Sequence, residues 1–225
     1  MLKKWLFLAL KLLVSVFLVW FLTKEINFSQ AVRRVAEVNP LWLLSSLCIM
    51  LFQICVGGLR WRSVLFSMGS QFSIPNAIKI FCMGAFFSQA LPSAVGGDPV
   101  RMYMSYRLGL SIRESVNGVL LERVVTVLSL ILVVVTTQLW FVPQVGHPSI
   151  VLIVPTIIII SIGAIVGIAV LLNFDRLPEA LMRWRAVRGL GNLGIDGRKV
   201  FLSKHHLPRV LFWGVLTHIN ISISV

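Results

Sequence analysis

Residues 78–99 read IKIFCMGAFFSQALPSAVGGDP, an apolar run with one internal lysine that ends in a cluster of helix breakers. The run Ile78–Val95 approaches the roughly 20 residues a helix needs to cross a ~30 Å hydrocarbon core. Its end forbids simple continuation. Pro92 has no N–H to donate and ends one helix, Gly96-Gly97 permits a tight turn, and Asp98-Pro99 starts the next helix. Whether this run crosses the bilayer or doubles back decides the topology, and the flanking charges settle that question.

Five other apolar stretches have the character of membrane segments: about Trp5–Leu22, Leu41–Leu59, Val116–Val142, Ile150–Leu172 and the last stretch, Val210–Val225. Lys and Arg collect on the cytoplasmic side of such segments. Lys3 and Lys4 therefore place the N-terminus in the cytoplasm, and two crossings return the chain there at Arg60 and Arg62. The connection Val142–Ser149 has no charged residue, as expected outside. Asn173–Arg209 holds eight Lys/Arg against Asp175, Glu179 and Asp196, as expected inside. Arg60/Arg62 and Arg107–Glu114 are then both cytoplasmic, so Ile78–Val95 enters and returns on one side or lies along the interface. Irregular backbone at membrane depth is tolerated where protein or a wet cavity surrounds it. The expected fold is all-α, a polytopic transmembrane helix bundle with a re-entrant hairpin at about 78–98, forming a single membrane domain over 1–225. It is expected in the cell (inner or plasma) membrane. The final stretch is short and lacks flanking charges, so the natural chain is expected to continue past Val225.

Composition supports this reading. The chain has 225 residues, 57% hydrophobic and 13% charged, where a soluble domain carries roughly 45–50% and about 25%. The net charge of +13 sits beside apolar spans, which points to anionic lipid rather than nucleic acid. Lys3-Lys4 before Trp5–Leu22 imitates a secretion signal. That stretch is longer than a signal core, though, and Thr23-Lys24-Glu25 offers no cleavage site, so it reads as a retained helix with Lys11 snorkelling to the interface. Ala31, Val32, Val35 and Val38 recur at helical spacing, which suggests a short interfacial helix within Thr23–Pro40. Trp5, Trp20, Trp42, Trp61, Trp140 and Trp213 lie near span ends, in aromatic-belt positions. Cys48, Cys55 and Cys82 lack CxxC spacing, so they read as small packing residues, not as zinc ligands or disulfides.

Chemistry concentrates in Ser88–Arg123. Asp98 before Pro99 has two readings: a helix cap, or the edge of an anion site at a helix N-terminus, with Arg101 one turn on to grip phosphate oxygens. A pairing of Asp98 with Arg101 would weaken the second reading. Glu114, Gly118 and Glu122 share a helix face. Glu122-Arg123 sits where a span enters the membrane, either as a functional pair or as an interfacial anchor. His147, His205, His206 and His218 lack acidic or cysteine neighbours, so no metal is expected. Arg176–Lys204 reads most simply as a solvated basic loop, the alternative being a lipid-facing amphipathic surface. Nucleotide-binding, zinc-protease, serine-hydrolase and dinucleotide-binding motifs are absent, and no cofactor is implied.

Leu91-Pro92, then Gly96-Gly97-Asp98-Pro99-Val100-Arg101, Gly109-Leu110-Ser111 and Val119-Leu120-Leu121-Glu122-Arg123 together resemble a known family. It is the lysylphosphatidylglycerol synthase transmembrane region, the flippase-like part of bacterial multiple peptide resistance proteins. The likeness is specific over about Ser88–Arg123 and rests on hydropathy elsewhere. It implies a helical membrane fold with re-entrant helices. It also implies flippase-like translocation or binding of an anionic or aminoacylated phospholipid, with Gly96, Gly97, Asp98, Arg101, Glu122 and Arg123 as head-group residues. No synthase domain accompanies these residues, so lysyl transfer is not implied and the reading leans away from an enzyme. The alternatives are a membrane transferase of glycolipid, polyprenyl-lipid or isoprenoid-lipid biosynthesis, or a non-catalytic partner in a membrane complex. Homo-oligomerisation stays open.

Overall fold

The computed structural model describes residues 13, 17, 20, 21, 33, 38–90, 96–142, 150–178 and 183–224. The chain forms two compact units, Met1–Cys48 and Ile49–Val225. In the first, Phe17 stacks on Phe21 with ring centroids 6.4 Å apart and tilts against Trp20 at 6.1 Å. Asn39 accepts the Leu41 N–H on its side-chain oxygen at 2.9 Å, and Pro40 takes the first helical position, where no N–H is needed. Most of the segment Trp5–Leu22 and of the expected interfacial helix before Pro40 lies outside the described residues.

The described residues hold seven α-helices: α1 (Pro40–Met68), α2 (Ile74–Ala90), α3 (Gly97–Arg107), α4 (Ile112–Phe141), α5 (Ile150–Leu172), α6 (Arg185–Phe201) and α7 (His206–Ile223). A 3-10 turn, Phe174–Arg176, joins the end of α5 to the path toward α6. The all-α expectation holds. Three of these helices are long and apolar enough to cross a membrane: Pro40–Met68, Ile112–Gln138 and Val154–Leu172. They match three expected spans. The final apolar stretch is helical as α7 but is not among those three.

Two boundaries move, each for a physical reason. α1 does not stop at Leu59. It continues through Arg60-Trp61-Arg62 to Met68, because Trp61, Val64, Leu65 and Met68 recur at helical spacing on a buried face. Arg60 is therefore an interior residue of a helix, not a loop charge. α4 begins at Ile112, earlier than Val116, because Ser111 and Glu114 form a capping box. The Ser111 hydroxyl accepts the Glu114 N–H at 3.2 Å, and the Glu114 carboxylate accepts the Ser111 N–H at 2.8 Å. Such an exchange satisfies two orphan helix-end donors.

The basic stretch after α5 is also not a plain loop. Its middle is α6, which turns Leu193, Gly194, Asp196, Gly197, Val200 and Phe201 inward. Leu193, Val200 and Phe201 join Val64, Leu121, Val125 and Val210 in one core cluster. A second cluster gathers Trp61, Leu65, Phe72, Ala77, Ile80, Leu110 and Val119 around α1, α2 and α4. The cysteines are exposed, so they do not serve as packing residues.

α2 and α3 flank the Pro/Gly break, of which residues 91–95 lie outside the described residues. The two helices pack closely against each other. A Cβ on Gly97 would fall 2.3 Å from the Gly84 carbonyl oxygen and 2.1 Å from Ser88 Oγ. Only paired glycines allow this approach. α3 has 11 residues, about 17 Å at 1.5 Å per residue, too short to cross a bilayer by itself. α3 begins at Gly97 with Gly96 as the preceding cap residue and no side-chain cap. Asp98, the expected cap, thus lies inside the first turn, two positions past the cap residue Gly96, and its carboxylate turns to arginines instead of helix-end N–H groups.

Candidate functional site

The inward face of α1 carries Arg60 and Trp61, that of α3 carries Arg101, and that of α4 carries Glu122. All four side chains are buried: Arg60 and Arg101 are 4% exposed, Trp61 and Glu122 0%. Glu122 lies ten residues into α4, about 15 Å along a span about 40 Å long. An ionised carboxylate at such depth is costly unless paired and hydrogen-bonded. Here Arg60 Nη2 donates to its Oε1, and Arg101 Nη1 donates to its Oε2 at 3.0 Å.

Two aromatic rings hold Arg101 in place. Its guanidinium carbon sits 4.8 Å from the Trp61 ring and 4.7 Å from the Phe81 ring. Ring faces attract a cation and fix the guanidinium plane. Gly84 allows this placement, since a Cβ there would fall 2.6 Å from Arg101 Cγ. Gly57 does the same for Phe81, whose ring rests where a Gly57 Cβ would be, at 2.2 Å.

The network continues outward through Asp98. Arg101 Nη1 reaches Asp98 Oδ1 at 3.5 Å, a long contact. Arg123 binds Asp98 with two parallel hydrogen bonds, Nε to Oδ2 at 2.8 Å and Nη2 to Oδ1 at 2.7 Å. Arg123 is half exposed, so its pair with Asp98 is the outer end of the network. Three guanidinium groups oppose two carboxylates, which leaves one net positive charge. Four guanidinium nitrogens, Arg60 Nε and Nη1 and Arg101 Nε and Nη2, are buried with no hydrogen-bond partner among the described residues, and so is Trp61 Nε1. Buried donors are almost always partnered in folded proteins. A cluster of such donors around an excess cation has the chemistry to accept an anion.

The structure thus brings together Asp98, Arg101, Glu122 and Arg123. Gly97 supports them through close helix packing, and Gly96 is buried at the start of α3. Glu114 belongs elsewhere: it caps α4 and accepts the Ser70 hydroxyl at 2.6 Å. Arg60, Trp61 and Phe81 join the site without having been singled out by sequence. Trp61 is a core residue and not part of an interfacial belt, whereas Trp42 and Trp140 are exposed near helix ends. The missed signal was the continuation of apolar helical spacing past Arg60.

A second polar group ties α4 to α6. Asp196, 3% exposed, accepts from Arg113 Nε at 2.9 Å, Asn117 Nδ2 at 2.8 Å and Lys199 Nζ at 3.1 Å. Burial pushes its carboxyl up, but these three donors outweigh that and hold it below the ordinary aspartate range. Arg198 binds Asp175 and the Leu172 carbonyl, bracing the chain after α5. Of the histidines, His218 Nε2 lies 3.1 Å from the Thr126 carbonyl oxygen, a helix-to-helix contact. Among the described residues no group of three or more His, Cys, Asp or Glu is placed to hold a metal.

No curated protein and no solved structure matches the chain. A family match, described as Lysylphosphatidylglycerol synthase TM region, covers residues 8–224. The match spans nearly the full sequence and takes in every residue of the buried arginine network, and the chain belongs to the lysylphosphatidylglycerol synthase transmembrane-region family.

Proposed function

We propose that this protein is a flippase-like lipid carrier of the cell membrane, which binds the head group of an anionic or aminoacylated phospholipid between α1, α3 and α4 and passes it between leaflets. The observation that carries the reading is the pair Arg60 and Arg101: both buried, both on Glu122, and both retaining free N–H groups. A guanidinium matches phosphate oxygens bidentately, and a phosphodiester supplies the one negative charge the network lacks. The helix pair α2–α3, which flanks the Pro/Gly stretch of the sequence, reads as a re-entrant hairpin that brings Arg101 to membrane depth. The positive-inside rule places the N-terminus in the cytoplasm.

The test is reconstitution. In liposomes that contain a fluorescent phosphatidylglycerol, the wild-type protein accelerates its exchange between leaflets, and Arg101→Ala lowers that rate severalfold while inserting normally. Equal rates for the two proteins would remove the head-group assignment.

A further inference from the structure

Beside the arginine network lies an apolar groove of about 440 Å³ between α1 and α2. Met50, Gln53 and Ile54 form one wall, and Phe81, Cys82 and Phe86 form the other. Its volume is that of a small-molecule site, which runs about 300–1,000 Å³. Phe81 belongs to both places: one contact of its ring is the Arg101 guanidinium, and the ring also lines the groove. The groove also has a direction. Gly57 meets Phe81 and Gly58 meets Ile78 across the α1–α2 contact, so the helices run antiparallel, and Met50 lies opposite Phe86. The groove therefore starts at Phe81, next to the charge cluster, and leads away from it along both helices for about 10 Å.

We infer that this groove holds one acyl chain of the anionic lipid whose phosphate lies at Arg60 and Arg101. The inference rests on the head-group reading above and adds where the tail goes. An anionic lipid is a single molecule with a charged end joined to an apolar one. Here a buried excess of positive charge and an apolar trough share a wall, which fits that molecule end to end. A free phosphate would use the cluster alone, and an uncharged lipid would use the groove alone. The shared ring also explains why Gly57 has no side chain: any Cβ there would push Phe81 off its seat between the two.

Photocross-linking separates these cases. Phosphatidylglycerol with a diazirine in mid-acyl chain is compared with phosphatidylcholine bearing the same chain, each in phosphatidylcholine nanodiscs with the full-length protein. Mass spectrometry then maps the adducts. The expected result is severalfold enrichment of the phosphatidylglycerol probe on peptides containing residues 50–54 and 81–89. That enrichment should be lost in Arg101→Ala and reduced in Ala85→Trp, since Ala85 also lines the groove and the indole would fill it. Equal labelling of the groove by both probes, unchanged in Arg101→Ala, would show ordinary bilayer contact and overturn the proposal. Enrichment that depends on Arg101 but maps elsewhere would overturn the groove while leaving the head-group reading standing. No enrichment anywhere, together with unchanged flux in Arg101→Ala, would overturn both. The wild-type map alone decides between groove and bilayer contact, so a failure of either variant to fold does not blunt the test.

Discussion

Arg101 Nη1 stands 3.0 Å from Glu122 Oε2 while Arg60 takes the other carboxylate oxygen, so one fully buried glutamate ties α1 and α3 to α4. Removing one member of a buried ion network leaves uncompensated charge in a low-dielectric interior, at a cost of about 3–5 kcal/mol. Glu122→Gln therefore lowers the thermal unfolding temperature of the detergent-solubilised protein sharply. Phosphatidylglycerol, which brings back a negative charge, restores more stability to this variant than it adds to the wild type. Thermal-shift measurements with phosphatidylglycerol and with phosphatidylcholine check both effects. A variant indifferent to lipid charge would contradict them.

The outer end of the network behaves differently. Arg123 is half exposed and its pair with Asp98 is bidentate. Exposed pairs contribute little, typically up to about 1 kcal/mol. Arg123→Ala is expected to cost about that much, far less than Glu122→Gln. A double-mutant cycle with Asp98→Asn measures the coupling, and a value as large as that at Glu122 would mean the two ends form one unit.

Glycine substitutions separate close helix contact from open lipid-facing positions. A Cβ on Gly97 would strike backbone atoms of Gly84, which cannot move aside as a flexible side chain can. Gly97→Ala should force α2 and α3 apart and cost about 1–3 kcal/mol. Gly163 and Gly167 on α5 have nothing within 4 Å of an added Cβ. Alanine there should be neutral or stabilising by up to about 1 kcal/mol, through helix propensity alone. Urea or thermal unfolding of the single variants distinguishes the two classes.

Asp196 gives a pH signature. Its carboxyl is held below the ordinary value of 3.8 by Asn117, Arg113 and Lys199, despite burial. A carboxyl depressed in the folded state adds stability above its unfolded pKa and loses it as pH falls through the folded pKa. The stability gap between wild type and Asp196→Asn should be constant above about pH 5 and close progressively in more acid solution. A gap unchanged on going from neutral to strongly acid conditions would show that Asp196 acts through shape and not charge.

Much of this architecture was legible in the residues. Apolar length located Pro40–Met68, Ile112–Gln138 and Val154–Leu172 closely enough, because a span must be long and apolar whatever packs on it. The start of α4 was less legible: apolar length points to Val116, and the Ser111–Glu114 capping box that moves it to Ile112 is polar. Asp98, Arg101, Glu122 and Arg123 stood out because ionised side chains beside a Pro/Gly break need a reason to be there. Arg60 was not legible in the same way. A charge beside a hydrophobic stretch looks like its end, and only the partner 62 residues away shows that the helix continues and turns the arginine inward. Trp61 and Phe81 escaped for a related reason: aromatic rings in membrane helices have many ordinary uses, and no local pattern marks one that faces a guanidinium. α6 looks like a loop in sequence because its buried face is short and rich in glycine, and its helix depends on what α4 and α5 offer it.

Glu122 offers two oxygens, and each is already taken by an arginine. A phosphodiester offers two as well. In the proposed reading those two oxygens would meet the remaining N–H groups of Arg60 and Arg101, beside Glu122 and not in its place. Guest and resident anion would then share the same two cations, and a shared cation holds each anion less tightly than an undivided one would.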